Sequence, residues 1–435
     1  MAFLSLFGII IGVAIFVVFT TKGFHLVFSS LVTAVIVCAF SWLNPLTMIT
    51  DTYMTSMANM FKNYLPMFIL GCVFGKCMCD TGVVRTIALS VAKLAKSSKN
   101  PKFWALLFLP GMYCLLTFSG VSGFIIVFTL LAISNELFKE CDVPWDFYVY
   151  GTSGCIPASI LPGSLYVTNV ILAKGFDTTL TAAPFVAILC FVIIWVMIGV
   201  LAYFDIRSYT KRGEGYLPSG AAFDANPSIG MTGSESEPVP TLICSWISLL
   251  APIISIILKL NVLIALLMGC IVCLALNFKH VKDLKSTIGN GLTVAVSSLA
   301  NVCAMTGLIA LMMVSSGFQM IIGALDMLPP LYSVLSLGVL SSAIVGSLSS
   351  WIPAAIPDLV ARFTAAGISM PVAHRMTILS TLSYAVPTNA GCVNTVGLTR
   401  LNPARAFARY FKTNAIPSLT AIIVCIILLK LGVIA

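Results

Sequence analysis

The fold is decided by TFSGVSGFIIVF (Thr117–Phe128) and, a little further on, YGTSGCIPASILPGSLYVTN (Tyr150–Asn169). A second pair of the same character lies later in the chain: VGSLSSWIPAAIPDL (Val345–Leu359), then STLSYAVPTNAGCVNTVG (Ser380–Gly397). Setting Pro157 on Pro387 spaces the copies by 230 residues and lays Ser119 on Ser349, Ser153 on Ser383 and Ser164 on Asn394. Each copy is a polar patch, broken by Gly, Ser and Pro, inside strongly apolar sequence. Paired discontinuous segments in corresponding halves of a chain point to the binding site of a secondary transporter.

The surrounding sequence belongs in a membrane. Of the 435 residues, 59% are hydrophobic and 9% charged, against roughly 25% charged in soluble domains. Mean hydropathy is +1.05. The net charge of +9 sits in short connectors between apolar runs, the pattern that orients membrane helices, so nucleic acid is not an expected partner. MAFLSLFGIIIGVAIFVVFTTKG carries no charge before Lys22. It lacks the basic start of a signal peptide and reads as a first span. The 14 cysteines fall mostly in apolar runs (Cys38, Cys72, Cys190, Cys270, Cys425), where they act as small packing residues. Cys77 with Cys79, or Cys270 with Cys273, has no second pair or His nearby to complete a four-ligand site. No metal, cofactor or disulfide is expected.

A span needs about 20 apolar residues. Residues 3–20 and 24–43 form a first pair of spans, followed by an amphipathic stretch at 44–63 and a helix from Tyr64 past Lys76 and Asp80. Residues 103–134 are long enough to cross and return, but TFSGVSG interrupts them, which predicts a re-entrant hairpin. An interrupted helix (146–172) and a span (181–204) close the first half. Residues 205–240, rich in Gly, Ser, Pro and charge, read as a flexible linker. The second half repeats the order, with spans at 241–259 and 261–277, an amphipathic stretch at 281–299 and a span at 301–325. A hairpin (331–366), an interrupted helix (374–398) and a last span (413–434) complete it.

The expected fold is thus an all-α polytopic membrane protein of about 10 spans plus 2 hairpins, organised as two inverted repeats, residues 1–204 and 241–435, joined by the linker 205–240. KLAKSSKNPK (Lys93–Lys102), RSYTKR, FKHVKDLK (Phe278–Lys285) and RLNPARAFARYFK (Arg400–Lys412) are the basic connectors. The positive-inside rule places them, and the linker, in the cytoplasm. That threading starts the first half outside and the second inside, and makes loop 139–146 cytoplasmic although it is net acidic.

The candidate substrate-binding residues lie at the breaks. In the first half they are Ser119, Gly120, Ser122, Gly123, Thr152, Ser153 and Gly154; in the second, Ser347, Ser349, Ser350, Ser383, Thr388, Asn389 and Asn394. Half-helix N-termini attract an anion, and freed carbonyls can hold a cation. Against this stands the plainer role of small polar residues, which is to let membrane helices pack. Asp358 and Arg362, at i and i+4, can pair on one helical face; Asp358 is the candidate for proton coupling, because intramembrane carboxylates are functional suspects. Lys76, Asp80 and Arg85 read as a helix end, and His374 and Arg375 as boundary residues opening the second interrupted helix. Gly120-Val-Ser-Gly and Gly151-Thr-Ser-Gly fit the short pattern of intramembrane serine proteases. That chemistry needs a base within hydrogen-bond reach of the serine.

Longer stretches resemble a known family. FILGCVFGKCMCDTGVVRTIAL (Phe68–Leu89), EPVPTLICSWISLLAPIISIIL (Glu237–Leu258) and VPTNAGCVNTVGLTRLNPARAFARYF (Val386–Phe411) resemble segments of the gluconate permease family, within the ion transporter superfamily. Where Asn-Asp-Ala-Gly is common in that family, this chain has Thr388-Asn389-Ala390-Gly391 and no carboxylate. The resemblance implies scaffold and transport domains, a homodimer in the bacterial inner (plasma) membrane, and an elevator-like alternating-access mechanism. It also implies proton-coupled uptake of a small hydroxy-monocarboxylate (gluconate, glycerate, hydroxybutyrate) or an amino acid such as D-serine. The expected protein is therefore a symporter and not an enzyme. Sodium coupling within the same superfamily is the alternative, and an intramembrane serine protease the remote one.

Overall fold

The computed structural model describes residues 1–434 apart from 23, 119, 121–122, 226–239, 259, 282, 326, 330, 333–334, 340–347, 381–384 and 386–388. Among the described residues every regular element is helical. Among the described residues six helices are long and apolar enough to cross a membrane: Ala2–Phe19, Pro101–Phe118, Pro184–Lys211, Leu263–His280, Leu284–Val314 and Pro403–Lys430. Leu26–Ser41 and Leu242–Pro252 are shorter apolar helices. The chain is a multi-pass membrane protein, and helices satisfy its backbone where lipid cannot.

The first half runs α1 (Ala2–Thr21), α2 (Leu26–Ser41), α3 (Met54–Asp80), α4 (Val83–Lys96), α5 (Pro101–Phe118) and α6 (Gly123–Glu140). A 3₁₀ helix, Trp145–Gly154, then continues into α7 (Cys155–Ile160), followed by α8 (Val167–Gly175) and α9 (Pro184–Lys211). The second half runs α10 (Leu242–Ile257), α11 (Val262–Asn277), α12 (Leu284–Val314), α13 (Ser316–Leu325), α14 (Leu348–Ala365), α15 (Met370–Ser380), α16 (Ala390–Thr399), α17 (Pro403–Tyr410) and α18 (Ile416–Lys430).

The two halves correspond, but at a spacing of 225 residues rather than 230. The hairpin helices start at Gly123 and Leu348. They end in the same left-handed turn, at Asp142 (φ 51°) and Gly367 (φ 69°). Val143 N–H closes that turn on Phe138 O at 2.8 Å, and Ile368 N–H on Phe363 O at 3.0 Å. At this register Pro162, not Pro157, falls on Pro387, Ser164 on Asn389 and Asn169 on Asn394. Contacts between the halves come in exchanged pairs. α1 packs on α13 as α10 packs on α4, α2 on α12 as α11 on α3, and α6 on α16 as α14 on α8. Such reciprocity is what a two-fold relation produces.

Several boundaries differ from the sequence expectation. The stretch 44–63 is not a separate surface helix: Pro45–Thr47, a π-helical segment Met48–Tyr53 and α3 form one continuous run, which Tyr53 anchors with its hydroxyl 2.7 Å from Ser30 Oγ. Likewise 281–299 joins the next segment in α12, and the break falls at Ser315. The largest difference is in the linker. α9 takes its first seven residues, through Lys211, and residues 212–225 are packed rather than loose. Tyr216 N–H donates to Asp142 Oδ1 at 2.9 Å, and the Tyr216 hydroxyl donates to Asn135 Oδ1 at 2.8 Å. Lys139 pairs with Asp224 at 2.7 Å, and Trp145 stacks on Phe223 with ring centres 4.8 Å apart. Aromatic side chains inside a polar linker give it a surface to dock by.

Asp142 joins this docking to pH. The Lys102 ammonium, 2.6 Å from Asp142 Oδ2, together with Tyr216 N–H, holds the Asp142 carboxyl below the usual carboxylate value. A lowered folded value contributes stability that is present above the unfolded value and lost as pH falls through the folded one. Because Asp142 is 62% exposed, solvent limits the effect to less than about 1 kcal/mol. Melting temperature measured across the acid range should fall for the wild type. It should start lower and change less for Asp142→Asn; equal pH dependence in the two proteins would contradict this.

Candidate functional site

The first interrupted helix breaks at Leu161–Tyr166, between α7 and α8. Pro162 has no N–H to continue the helix, and Gly163 takes φ +83°, a conformation costly for any other residue. Gly163 N–H donates to Leu180 O at 3.0 Å, and Ser164 N–H to Leu161 O at 3.1 Å. Leu165 N–H reaches across to Phe118 O, 3.0 Å away at the tip of the α5–α6 hairpin. The break and the hairpin tip are therefore directly bonded.

Behind the break sits a buried polar chain. Asn169 Nδ2 donates to Ser164 O at 2.6 Å, while Asn169 Oδ1 accepts from Arg375 Nη1 at 2.8 Å. Arg375, from α15 of the second half, also donates through Nε to Ala182 O at 2.8 Å and through Nη2 to Leu180 O at 2.7 Å. Its neighbour His374 places Nδ1 2.9 Å from Thr178 Oγ1. Ser164, Asn169, His374 and Arg375 are all completely buried. The reading of His374 and Arg375 as boundary residues is corrected: they clasp the loop after α8 and tie the two interrupted helices together.

Thr152, Ser153 and Gly154 do not form the break. Thr152 Oγ1 donates to Val149 O at 3.1 Å and Ser153 Oγ to Tyr150 O at 2.6 Å, so both hydroxyls serve their own helix. Gly154 allows close approach instead: a Cβ there would lie 2.0 Å from Pro110 O of α5. The helix runs through this Gly/Ser pair because α5 covers it. Of the hairpin-tip candidates, Gly120 is buried at φ +86° with its N–H on Thr117 O at 2.9 Å, and Gly123 opens α6. Ser119, Ser122, Ser347, Ser383 and Thr388 lie outside the described residues. Ser349 and Ser350 begin α14, and Asn394 lies in α16. Asn389 caps α16, its Oδ1 accepting from Cys392 N–H at 3.0 Å. At the 225-residue spacing it falls on Ser164, whose Oγ accepts from Tyr166 N–H at 3.3 Å.

Asp358 pairs with Arg362 Nε at 2.8 Å, with the carboxylate side chain 44% exposed. With Ser153 bonded to Tyr150 O and His374 to Thr178, the serine–histidine pairing that proteolysis by Ser153 requires is not made. Sequence reading missed Asn169 and Leu165 as site residues. The signal was present in LPGSLYVTN beside VPTNAGCVN, which align once Pro162 is set on Pro387. Among the described residues no group of three or more His, Cys, Asp or Glu could hold a metal ion.

No protein-family model matches the chain. It is 29% identical over 197 residues to the uncharacterized transporter YxjC of Bacillus subtilis, a match covering 44% of this chain. The chain thus spans only 39% of the length of that curated relative. Among solved structures it is similar to the YdaH transporter of Alcanivorax borkumensis, described as having an unusual topology, at 12% identity and a TM-score of 0.44, over 87% of this chain and 88% of that one. Likeness at that level is too low to argue from.

Proposed function

We propose that the chain is a secondary active transporter that takes up a small organic anion in symport with a cation. The observation that carries this reading is the bond from Leu165 N–H to Phe118 O, which joins a hairpin tip to a helix break. Beside it lie Ser164 and Asn169, polar and fully buried. Polar, irregular backbone at membrane depth is tolerated where it is buried in protein or lines a water-filled cavity. The similarity to an uncharacterized transporter supports the same class.

The two halves act as inverted repeats in this reading, residues 1–204 and 241–435. The other helices, α1–α4 with α9 and α10–α13 with α18, form a scaffold, while the hairpins and interrupted helices move against it as a body. Residues 212–225 dock on the hairpin end and travel with that body. The resemblance to gluconate permeases suggests a hydroxy-monocarboxylate or D-serine as substrate and protons as the coupling ion, a homodimer, and an inner-membrane location with the basic connectors in the cytoplasm. Sodium is the alternative coupling ion, held by freed carbonyls and the Asn389 and Asn394 amides.

A thermal-shift screen of purified protein against small carboxylates and amino acids, with and without sodium at two pH values, tests this. Ligand that binds only the folded state raises stability by an amount set by concentration over Kd. Stabilisation by hydroxy-monocarboxylates without sodium is expected. Stabilisation that requires sodium moves the coupling to sodium, and no response across the panel contradicts the substrate class.

A further inference from the structure

We infer that Arg375 is the charge-selecting residue of the site, a buried positive charge that has no carboxylate partner among the described residues and that an anionic substrate meets at the first helix break. The inference rests on the carboxylate reading above and narrows it to monoanions. Arg375 is completely buried, and its three partners are neutral oxygens: the Leu180 and Ala182 carbonyls and the Asn169 amide. None is a carboxylate. A guanidinium carries five N–H donors, so donors remain for a further acceptor after these three bonds.

Several other ionised groups of the hairpins and linker have a partner of opposite charge. Asp358 pairs with Arg362, Lys139 with Asp224, Glu140 with Lys96, Asp142 with Lys102 and Asp205 with Lys412. Lys174 and Asp177, nearest in sequence to the clasped loop, are exposed. His374, the titratable neighbour on the same helix, is engaged by Thr178. A buried charge without a counter-charge is costly unless something compensates it. Arg375 is one hydrogen-bonded residue from the break, since Asn169 bonds both it and Ser164 O. An anion docked there would face a unit charge through little water, where such an interaction changes affinity by about tenfold or more. One charge fits one carboxylate.

Arg375 also positions the site. By holding Asn169 Oδ1 it fixes the amide so that Nδ2 faces Ser164 O. A role confined to holding that amide predicts lower stability on substitution with unchanged preference for anions. Charge selection predicts the opposite split.

The test compares thermal stabilisation by gluconate and glycerate with that by their uncharged counterparts glucitol and glycerol, on purified full-length protein. The wild type should respond to a carboxylate and not to its neutral counterpart. Arg375→Gln should weaken carboxylate binding at least tenfold, and Arg375→Lys, which keeps the charge, should recover most of it. Asn169→Asp leaves an acceptor for Nη1 and cancels the charge but gives up the Nδ2 bond to Ser164 O; it should lose the carboxylate response, whereas Asn169→Ala, which gives up the same bond and leaves the charge, should keep it, and this pair decides if Arg375→Gln does not fold. Carboxylate binding within twofold of wild type in Arg375→Gln or Asn169→Asp overturns the inference and leaves the transporter reading standing. A wild type that responds to no carboxylate removes the inference together with the hydroxy-monocarboxylate reading it rests on.

Discussion

Trp145→Ala is expected to destabilise the protein by about 3–5 kcal/mol, the range for removing a large buried aromatic ring. Trp145 is fully buried and joins its own helix to three other pieces of the chain. Its ring lies 6.1 Å from Phe138 at the end of the hairpin, 5.2 Å from Tyr148 in the interrupted helix, and 5.9 Å and 4.8 Å from Tyr216 and Phe223 of the linker. Its Nε1–H donates to Thr399 O, 2.9 Å away at the end of the second interrupted helix. The substitution therefore opens a cavity and strands a carbonyl where both halves and the linker meet. Trp145→Phe separates the two effects: it keeps most of the ring and loses the hydrogen bond, at about 1 kcal/mol. Denaturant unfolding of the detergent-purified variants measures both. A Trp145→Ala protein within 1 kcal/mol of wild type, by the usual scatter of surface substitutions, would mean the linker does not bind here.

Gly154→Ala is the second substitution expected to have a large effect. The added Cβ would meet Pro110 O at 2.0 Å, Pro110 C at 2.8 Å and Cys114 N at 3.0 Å. All three are backbone atoms, so no side chain can swing aside, and overpacking of this kind costs about 1–3 kcal/mol or more. The relief available is a shift of the interrupted helix away from α5, which would move the break relative to the hairpin tip. Gly163→Ala is the informative control. It meets nothing within 4 Å but sits at φ +83°, so its cost is backbone strain alone, about 1–2 kcal/mol. Melting temperatures should fall further for Gly154→Ala than for Gly163→Ala. The reverse order would mean that the hairpin and the interrupted helix are not packed as described.

Much of the fold was legible because its signals are local. The apolar run interrupted by TFSGVSG marks a helical hairpin whatever surrounds it, whereas the helix break lies at ILPGS, a few residues beyond the Thr152–Gly154 segment that the pattern favoured. The register between halves was not legible from proline spacing alone, because Pro157 and Pro162 both stand in the first copy. Only the matching turns at Asp142 and Gly367 decide between them. Gly154 looked like an unwinding residue, yet its lack of a side chain serves contact with α5. The linker looked flexible by composition, but Tyr216 and Phe223 within it are buried. Arg375 followed a turn and so looked like a helix boundary. Its burial depends on carbonyls offered by residues 180 and 182, a long-range contact that no local pattern announces.

Uptake by the purified protein in sealed proteoliposomes tests the central claim most directly. Labelled gluconate, glycerate, hydroxybutyrate and D-serine would be offered under an imposed proton gradient, a sodium gradient, or neither. Accumulation of at least one of them above its external concentration is expected when the proton gradient is imposed, and collapse of that gradient should abolish it. Failure of every compound to accumulate under either gradient, in vesicles whose protein is folded, would contradict the account.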